Sequence, residues 1–176
     1  ECMAISVEGI ASPLASTISS DDADKLLKAG VIEPTTRDPL VPMCVPFSVV
    51  ETKESGDRRR FILWTKAQND ALHDYHADVP LKHAAVYRQR VFCEAASIRD
   101  LKLGFWQLLL PHKIRRFFVF EDARGSVYRM TRLPMGHVCA PEIMQIATSV
   151  IAGDPTYCLA QFAQRRGTII DVWIDD

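Results

Sequence analysis

Four prolines in close succession, Pro34, Pro39, Pro42 and Pro46, close the stretch up to Phe47 to any helix, because each fixes φ and removes a backbone donor. The chain beyond them is committed to extended structure. Val45-Pro46-Phe47-Ser48-Val49-Val50 and Arg60-Phe61-Ile62-Leu63-Trp64 flank a polar Glu-Ser-Gly-Asp turn, which predicts a β-hairpin with Lys53 on one arm and Arg58, Arg59 and Arg60 on the other. Taken alone, such an Arg run is ordinarily a solvated tip. Upstream, Ser19-Ser20-Asp21-Asp22 supplies capping side chains and acids, Ala23, Leu26 and Leu27 form a helical stripe, and Gly30 can close it, so a helix is expected over 21–29. Residues 1–18 lack periodicity and form an unassigned lead-in.

At 176 residues and 48% hydrophobic composition, with a mean hydropathy of −0.01, the chain can bury one substantial core. A net charge of −1 makes no global case for a polyanionic partner, though charge can be segregated locally. Cys2, Cys44, Cys93, Cys139 and Cys158 are scattered and never in a C-x-x-C arrangement, which favours reduced thiols and an intracellular setting, cytoplasm or nucleus. No run of about 18 apolar residues and no charged-then-apolar leader occurs, so a soluble chain with no membrane partner is expected. The first residue is Glu1 and the last belongs to an acidic pair with the look of a site, so both ends read as cuts through a longer frame.

The remaining punctuation is regular. His73 and His76 can share a helical face but have no further ligand types beside them, so a surface role outranks zinc. Pro80 can open a helix to about Arg90, and 91–100 reads as a strand ending on Asp100. Arg116-Phe117-Phe118-Val119-Phe120 and Val127 through Leu133 bracket Glu-Asp-Ala-Arg-Gly-Ser, a second hairpin with Gly125 free to take positive φ. Lys113, Arg115, Arg116, Arg124, Arg129 and Arg132 outnumber Glu121 and Asp122 there, so a phosphate backbone could be tracked along this segment. Pro141 begins a helix whose Ile143, Ile146, Ala147, Val150 and Ile151 recur at helical spacing, ended by Gly153 and Pro155. A second short helix is expected within 156–167, then a strand over 168–174 leading into Asp175 and Asp176. The resulting order of helix, hairpin, helix, strand, hairpin, helix and strand is α+β, an antiparallel sheet packed with helices.

If the strands ending at Asp100 and at Asp175-Asp176 pair, three carboxylates meet at one sheet edge. Such a set favours Mg²⁺, with Mn²⁺ as a substitute, because hard cations take oxygen ligands. Two ions roughly 3.5–4 Å apart can serve both the attacking and the leaving oxygen of a phosphoryl transfer. The bland alternative is a set of solvated acids in a chain that has 22 of them.

The order of blocks tips that balance. Ser97-Ile98-Arg99-Asp100-Leu101-Lys102-Leu103-Gly104-Phe105-Trp106-Gln107, then Thr131-Arg132-Leu133-Pro134-Met135-Gly136 through Ala140-Pro141, then Val172-Trp173-Ile174-Asp175-Asp176, together resemble the three palm motifs of retroelement reverse transcriptases. The hairpin region 45–69 resembles the fingers, and the likeness runs from about Leu26 to Asp176.

The resemblance implies a right-hand polymerase fragment, with a fingers-like region over 19–90 and a partial palm over 91–176 that stops at the catalytic strand. It implies RNA-directed DNA polymerase activity, a two-metal transfer onto a primer 3′-hydroxyl. Asp100, Asp175 and Asp176 would be the catalytic acids and metal ligands, with the Leu101 carbonyl as a backbone ligand. Lys53 and Arg60 would close on the triphosphate, a task suited to a point-charge ammonium and a forked guanidinium. Phe105 would crowd the sugar 2′ position, Met135 and Gly136 would line the nucleotide pocket, and Trp173 and Arg132 would face primer and template. The implied partners are an RNA or DNA template with its primer, deoxynucleoside triphosphates, and the remaining palm and thumb of a parent polyprotein. Without those parts the isolated chain is expected to be inactive, and a non-catalytic nucleic-acid-binding remnant is the alternative. Trp173 stands where Tyr or Phe is customary, Trp64 where many relatives have Asp, and His137-Val138-Cys139 is an uncommon form of the second motif. These departures suggest a divergent retrotransposon branch, DIRS-like in character.

Overall fold

The computed structural model describes residues 17–53, 56–72, 74, 92, 95, 97–164 and 169–172, with the side chains of 51–59 left out of the description. The chain divides into two compact units, residues 1–73 with 105–137 and residues 74–104 with 138–176. The expected helix over 80–90 and the pair His73 and His76 lie outside the described residues.

In the first unit, α1 (Ser20–Lys28) begins where Ser19 accepts a hydrogen bond from Asp22 N at 3.1 Å and where Asp21 and Asp22 complement the helix dipole. It ends at Gly30, whose φ of +67° only glycine adopts without strain. β1 (Ile32–Pro34) follows and pairs antiparallel with β5 (Val127–Met130), which pairs in turn with β4 (Val119–Glu121), giving the order β1-β5-β4. β1 has no hydrophobic alternation of its own and ends on a proline, so nothing local announces it. Thr131 fixes it from the far end, its hydroxyl donating to Gly30 O at 2.6 Å, with Val31 O a further 3.0 Å neighbour.

The proline-forced hairpin forms, longer than the residue pattern suggests. β2 (Val45–Lys53) and β3 (Gly56–Trp64) pair from Val45↔Trp64 to Lys53↔Gly56. Along β3, Phe61 and Leu63 are buried while Arg60, Ile62 and Trp64 alternate onto the other face. Trp64 packs against Phe47, ring centroids 6.0 Å apart, so the tryptophan at this position has a packing partner across the hairpin. α2 (Lys66–Ala71) closes the hairpin segment. The core is aromatic: Phe120 is fully buried, with Phe61 at 5.5 Å and Tyr128 at 6.2 Å between ring centroids. Most of the stability of this unit comes from such burial, about 25 cal/mol per Å² of apolar surface.

The second expected hairpin is shorter than the sequence suggests. Arg116 and Phe117 belong to a 3-10 helix (His112–Phe117), and β4 starts only at Val119. Pro111 precedes that helix in an extended conformation, and Arg115 accounts for the early turn by donating from Nε back to Leu110 O at 3.0 Å. Gly125 takes φ +81° in the loop, as the turn requires, and the Asp122 carboxylate accepts from Arg124 N and Ser126 N, both at 2.9 Å.

In the second unit, α4 (Ala140–Ala152) has its Pro in the first turn and a left-handed Gly153 at its C-terminus, as expected. Its apolar stripe does not face inward. Ile143, Ile146 and Val150 are exposed and Ile151 is 77% exposed, whereas Ala140, Met144, Gln145, Thr148 and Ser149 are buried. The buried polar groups are satisfied in place: Thr148 Oγ1 donates to Met144 O at 2.7 Å, and Gln145 Nε2 lies 3.5 Å from Val172 O. The short helix expected within 156–167 is a 3-10 turn (Ala160–Phe162).

Two expected strands are corrected. Residues 97–100 carry no ladder and are exposed, with Ile98 at 99%. A single Ile among Ser97, Arg99 and Asp100 gives no apolar face to specify register. Residues 169–172 are likewise not a strand, because the Gln164 side chain occupies the backbone groups a neighbour would use: its Nε2 donates to Ile170 O at 3.0 Å and its Oε1 lies 3.4 Å from Ile170 N.

Candidate functional site

β3 runs inward from Arg60, which is half-buried, and its last residues meet the Leu133-Pro134-Met135-Gly136 segment. Leu63 N donates to Met135 O at 3.1 Å. Thr65, fully buried just beyond β3, donates from Oγ1 to Asn69 Oδ1 at 3.0 Å, and Asn69 Nδ2 donates to Gly136 O at 2.9 Å. The Thr65 hydroxyl also lies 3.4 Å from Gly136 O, but its one hydrogen serves the shorter bond. Gly136 has φ +110°, and a Cβ there would stand 2.6 Å from Leu63 O, so the loop approaches β3 as closely as only glycine permits. Thus Arg60, Met135 and Gly136 lie on segments joined by hydrogen bonds.

Phe105 opens the part of α3 (Gly104–Gln107) that belongs to the same unit, and its neighbour Trp106 faces Phe61 with ring centroids 6.4 Å apart. Four of the sequence-predicted nucleotide residues therefore sit on elements that touch or adjoin. The fifth, Lys53, ends β2 opposite Gly56. Arg132 turns toward the α1–β1 connection, its Nε 3.5 Å from Gly30 O. His137 stands edge-on to the Phe118 ring at 5.4 Å, and burial pushes its pKa below the ordinary histidine value.

In the second unit Asp100 is exposed, and Leu101 is 45% exposed. The chain turns directly after them: Leu103 takes φ +54°, the one positive φ outside glycine among the described residues. A branched side chain held there stores about 1–3 kcal/mol of strain. Gly104 then sits over α4, where a Cβ would come 2.9 Å from the flexible Met144 Cε. Trp173, Asp175 and Asp176 lie outside the described residues. Among the described residues no three His, Cys, Asp or Glu side chains gather as metal ligands.

Sequence reasoning missed Thr65 and Asn69. A Thr followed four residues later by Asn reads as an ordinary polar helix start, and the only hint was their position directly after a buried strand. It also missed Glu33, which accepts from Arg129 Nε at 2.6 Å and from Arg115 Nη1 at 3.2 Å. Burial alone would raise the Glu33 carboxyl, but the hydrogen bond and charge of Arg129, joined by Arg115, outweigh it and hold the pKa below the usual carboxylate value.

No helix among the described residues is long and apolar enough to cross a membrane. No protein-family model and no curated protein matches the chain. Among solved structures, the crystal structure of Prototype Foamy Virus protease-reverse transcriptase, a selenomethionine-labelled CSH mutant, is similar with a TM-score of 0.50 and 23% identity. The match covers 72% of this chain and 16% of that one, so the chain spans a small part of its neighbour. What is shared is a fold: mixed helices and antiparallel strands distantly like part of a reverse transcriptase.

Proposed function

We propose that the chain is the fingers and partial palm of a retroelement RNA-directed DNA polymerase, a nucleotidyltransferase that adds deoxynucleotides to a primer 3′-hydroxyl. The observation that carries this reading is the joining of the Arg60 strand to the Met135-Gly136 loop through Leu63, Thr65 and Asn69. That junction can set a forked cation beside a close-approach backbone, the combination a triphosphate needs. Lys53 and Arg60 hold the phosphates, Phe105 stands against the sugar, and Arg132 and Trp173 serve primer and template. The donor set of Asp100, Asp175, Asp176 and the Leu101 carbonyl is all oxygen and suits Mg²⁺ or Mn²⁺. When bound, the metal would activate the attacking hydroxyl and stabilise the leaving pyrophosphate.

Titration of the chain with a deoxynucleoside triphosphate and Mg²⁺ should quench Trp106 emission, and Arg60→Gln should weaken binding by about ten-fold or more, the worth of charge-assisted hydrogen bonds. Within a polypeptide that extends primers on RNA, Asp100→Asn should lower incorporation by on the order of a hundred-fold or more. Full activity in Asp100→Asn removes the assignment. A second reading, a nucleic-acid-binding remnant, has the cations of 113–132 in its favour; salt-dependent binding without incorporation in every such polypeptide selects it.

A further inference from the structure

The 3-10 helix His112–Phe117 repeats every three residues, so Lys113 and Arg116 align on one of its sides and His112 and Arg115 on another. β5 lies beside it with Tyr128 and Met130 buried and Arg129 on the opposite face. There Arg129 meets Glu33, its direct partner in the β1–β5 register. The carboxylate holds Arg129 by its Nε at 2.6 Å, leaving Nη2 directed toward His112 Nε2 at 3.4 Å. Glu33 also takes Arg115 at 3.2 Å, so one acid serves two guanidinium groups. Lys113 and Arg116 are exposed and have no carboxylate partner among the described residues. Arg116 lies over one face of the Phe117 ring at 4.8 Å, and Phe117 as a residue is 37% exposed. His112, Lys113, Arg116 and Arg129 line an open depression of about 410 Å³.

We infer that this depression is a nucleic-acid contact, in which Lys113, Arg116 and the outward arm of Arg129 engage successive phosphates of a single strand while the Phe117 face receives a base. Surplus cations without acids are the requirement for counterion release, and an aromatic face among cations is the sequence-tolerant base platform. Glu33 acts as the positioning residue that points Arg129 outward. The contact rests on the nucleic-acid-binding reading of the 113–132 cations and uses none of the residues assigned to nucleotide or metal, so its failure leaves the polymerase reading standing.

The test is binding of a fluorescein-labelled, mixed-sequence single-stranded RNA oligonucleotide to the 176-residue chain, in EDTA and without nucleotides, across a salt series. The double variant Lys113→Gln/Arg116→Gln should weaken binding on the order of ten-fold and make the log–log salt slope shallower by about 1.4, two single-strand phosphate contacts. Phe117→Leu should weaken RNA binding several-fold while leaving the salt slope in place. The control pair Lys28→Gln/Arg37→Gln removes equal charge from exposed positions outside 113–132 and should leave both quantities within two-fold, roughly the limit of net-charge effects alone. Circular dichroism confirms that each variant keeps the parent fold. The inference is overturned by absence of RNA binding in the parent chain, by an equal loss in the control pair, by an unchanged slope in the double variant, or by polyglutamate binding as tightly as RNA.

Discussion

Replacing Gly136 with Ala isolates the junction between β3 and the Met135-Gly136 loop. The new Cβ would stand 2.6 Å from Leu63 O, a backbone atom inside a paired strand, so the loop has to move. A φ of +110° is strained for any L residue, at about 1–3 kcal/mol. Displacing the loop also endangers Leu63 N–Met135 O at 3.1 Å and Asn69 Nδ2–Gly136 O at 2.9 Å, each worth about 1 kcal/mol. The expected loss is about 3–5 kcal/mol, a large share of the roughly 5–15 kcal/mol that holds a domain. Urea unfolding followed by the emission of Trp64 and Trp106 measures it. Asn69→Ala on its own should cost about 1–2 kcal/mol and, placed in the Gly136→Ala background, about half that or less, because the bond it removes is already lost. A Gly136→Ala loss below about 1 kcal/mol, or strict additivity of the two, refutes the junction as described.

Acidification should weaken the fold in two steps. His137 has a depressed folded pKa, so the unfolded chain takes up its proton first and stability falls as pH drops below the ordinary value of 6.5; His137→Gln removes this step in pH-dependent urea melts. Glu33, also depressed, contributes fully above its ordinary 4.5 and loses that contribution as pH falls through its folded value, a step Glu33→Gln abolishes. Cys44 is buried, and burial pushes its thiol up to about 12, so iodoacetamide at about pH 8 should label it only after unfolding, as mass mapping can show. In a primer-extending polypeptide, Phe105→Val should raise ribonucleotide incorporation relative to deoxynucleotide, and unchanged discrimination removes Phe105 as the gate.

Elements with local signals were legible in the residues. α1 has its Ser19 cap, the hairpin its prolines and polar turn, and α4 its Pro141 and Gly153. Elements fixed from a distance were not. β1 exists because β5 and the Thr131 hydroxyl hold it, and the β-branched run at 169–172 is held by a glutamine amide in place of a strand. Apolar spacing identified α4 as a helix but pointed to the wrong face, since Gln145 and Thr148 find their hydrogen bonds inside. For the site, the resemblance singled out Arg60, Met135 and Gly136, whereas the Thr65–Asn69 relay that joins them depends on hydrogen bonds no residue pattern displays. The Glu33 bridge was invisible for the same reason, its partner Arg129 being 96 positions away.

That separation governs the order in which the fold can assemble. The β2–β3 and β4–β5 ribbons close over short loops and can form early, whereas β1 must wait until β5 is in place. Closing the long loop costs entropy that grows only logarithmically with length, but the search is slow, and a three-residue strand gives little local structure to begin it. Refolding should therefore be rate-limited by β1 docking, and changes at Glu33 or Thr131 should retard that phase while leaving the formation of the two ribbons untouched.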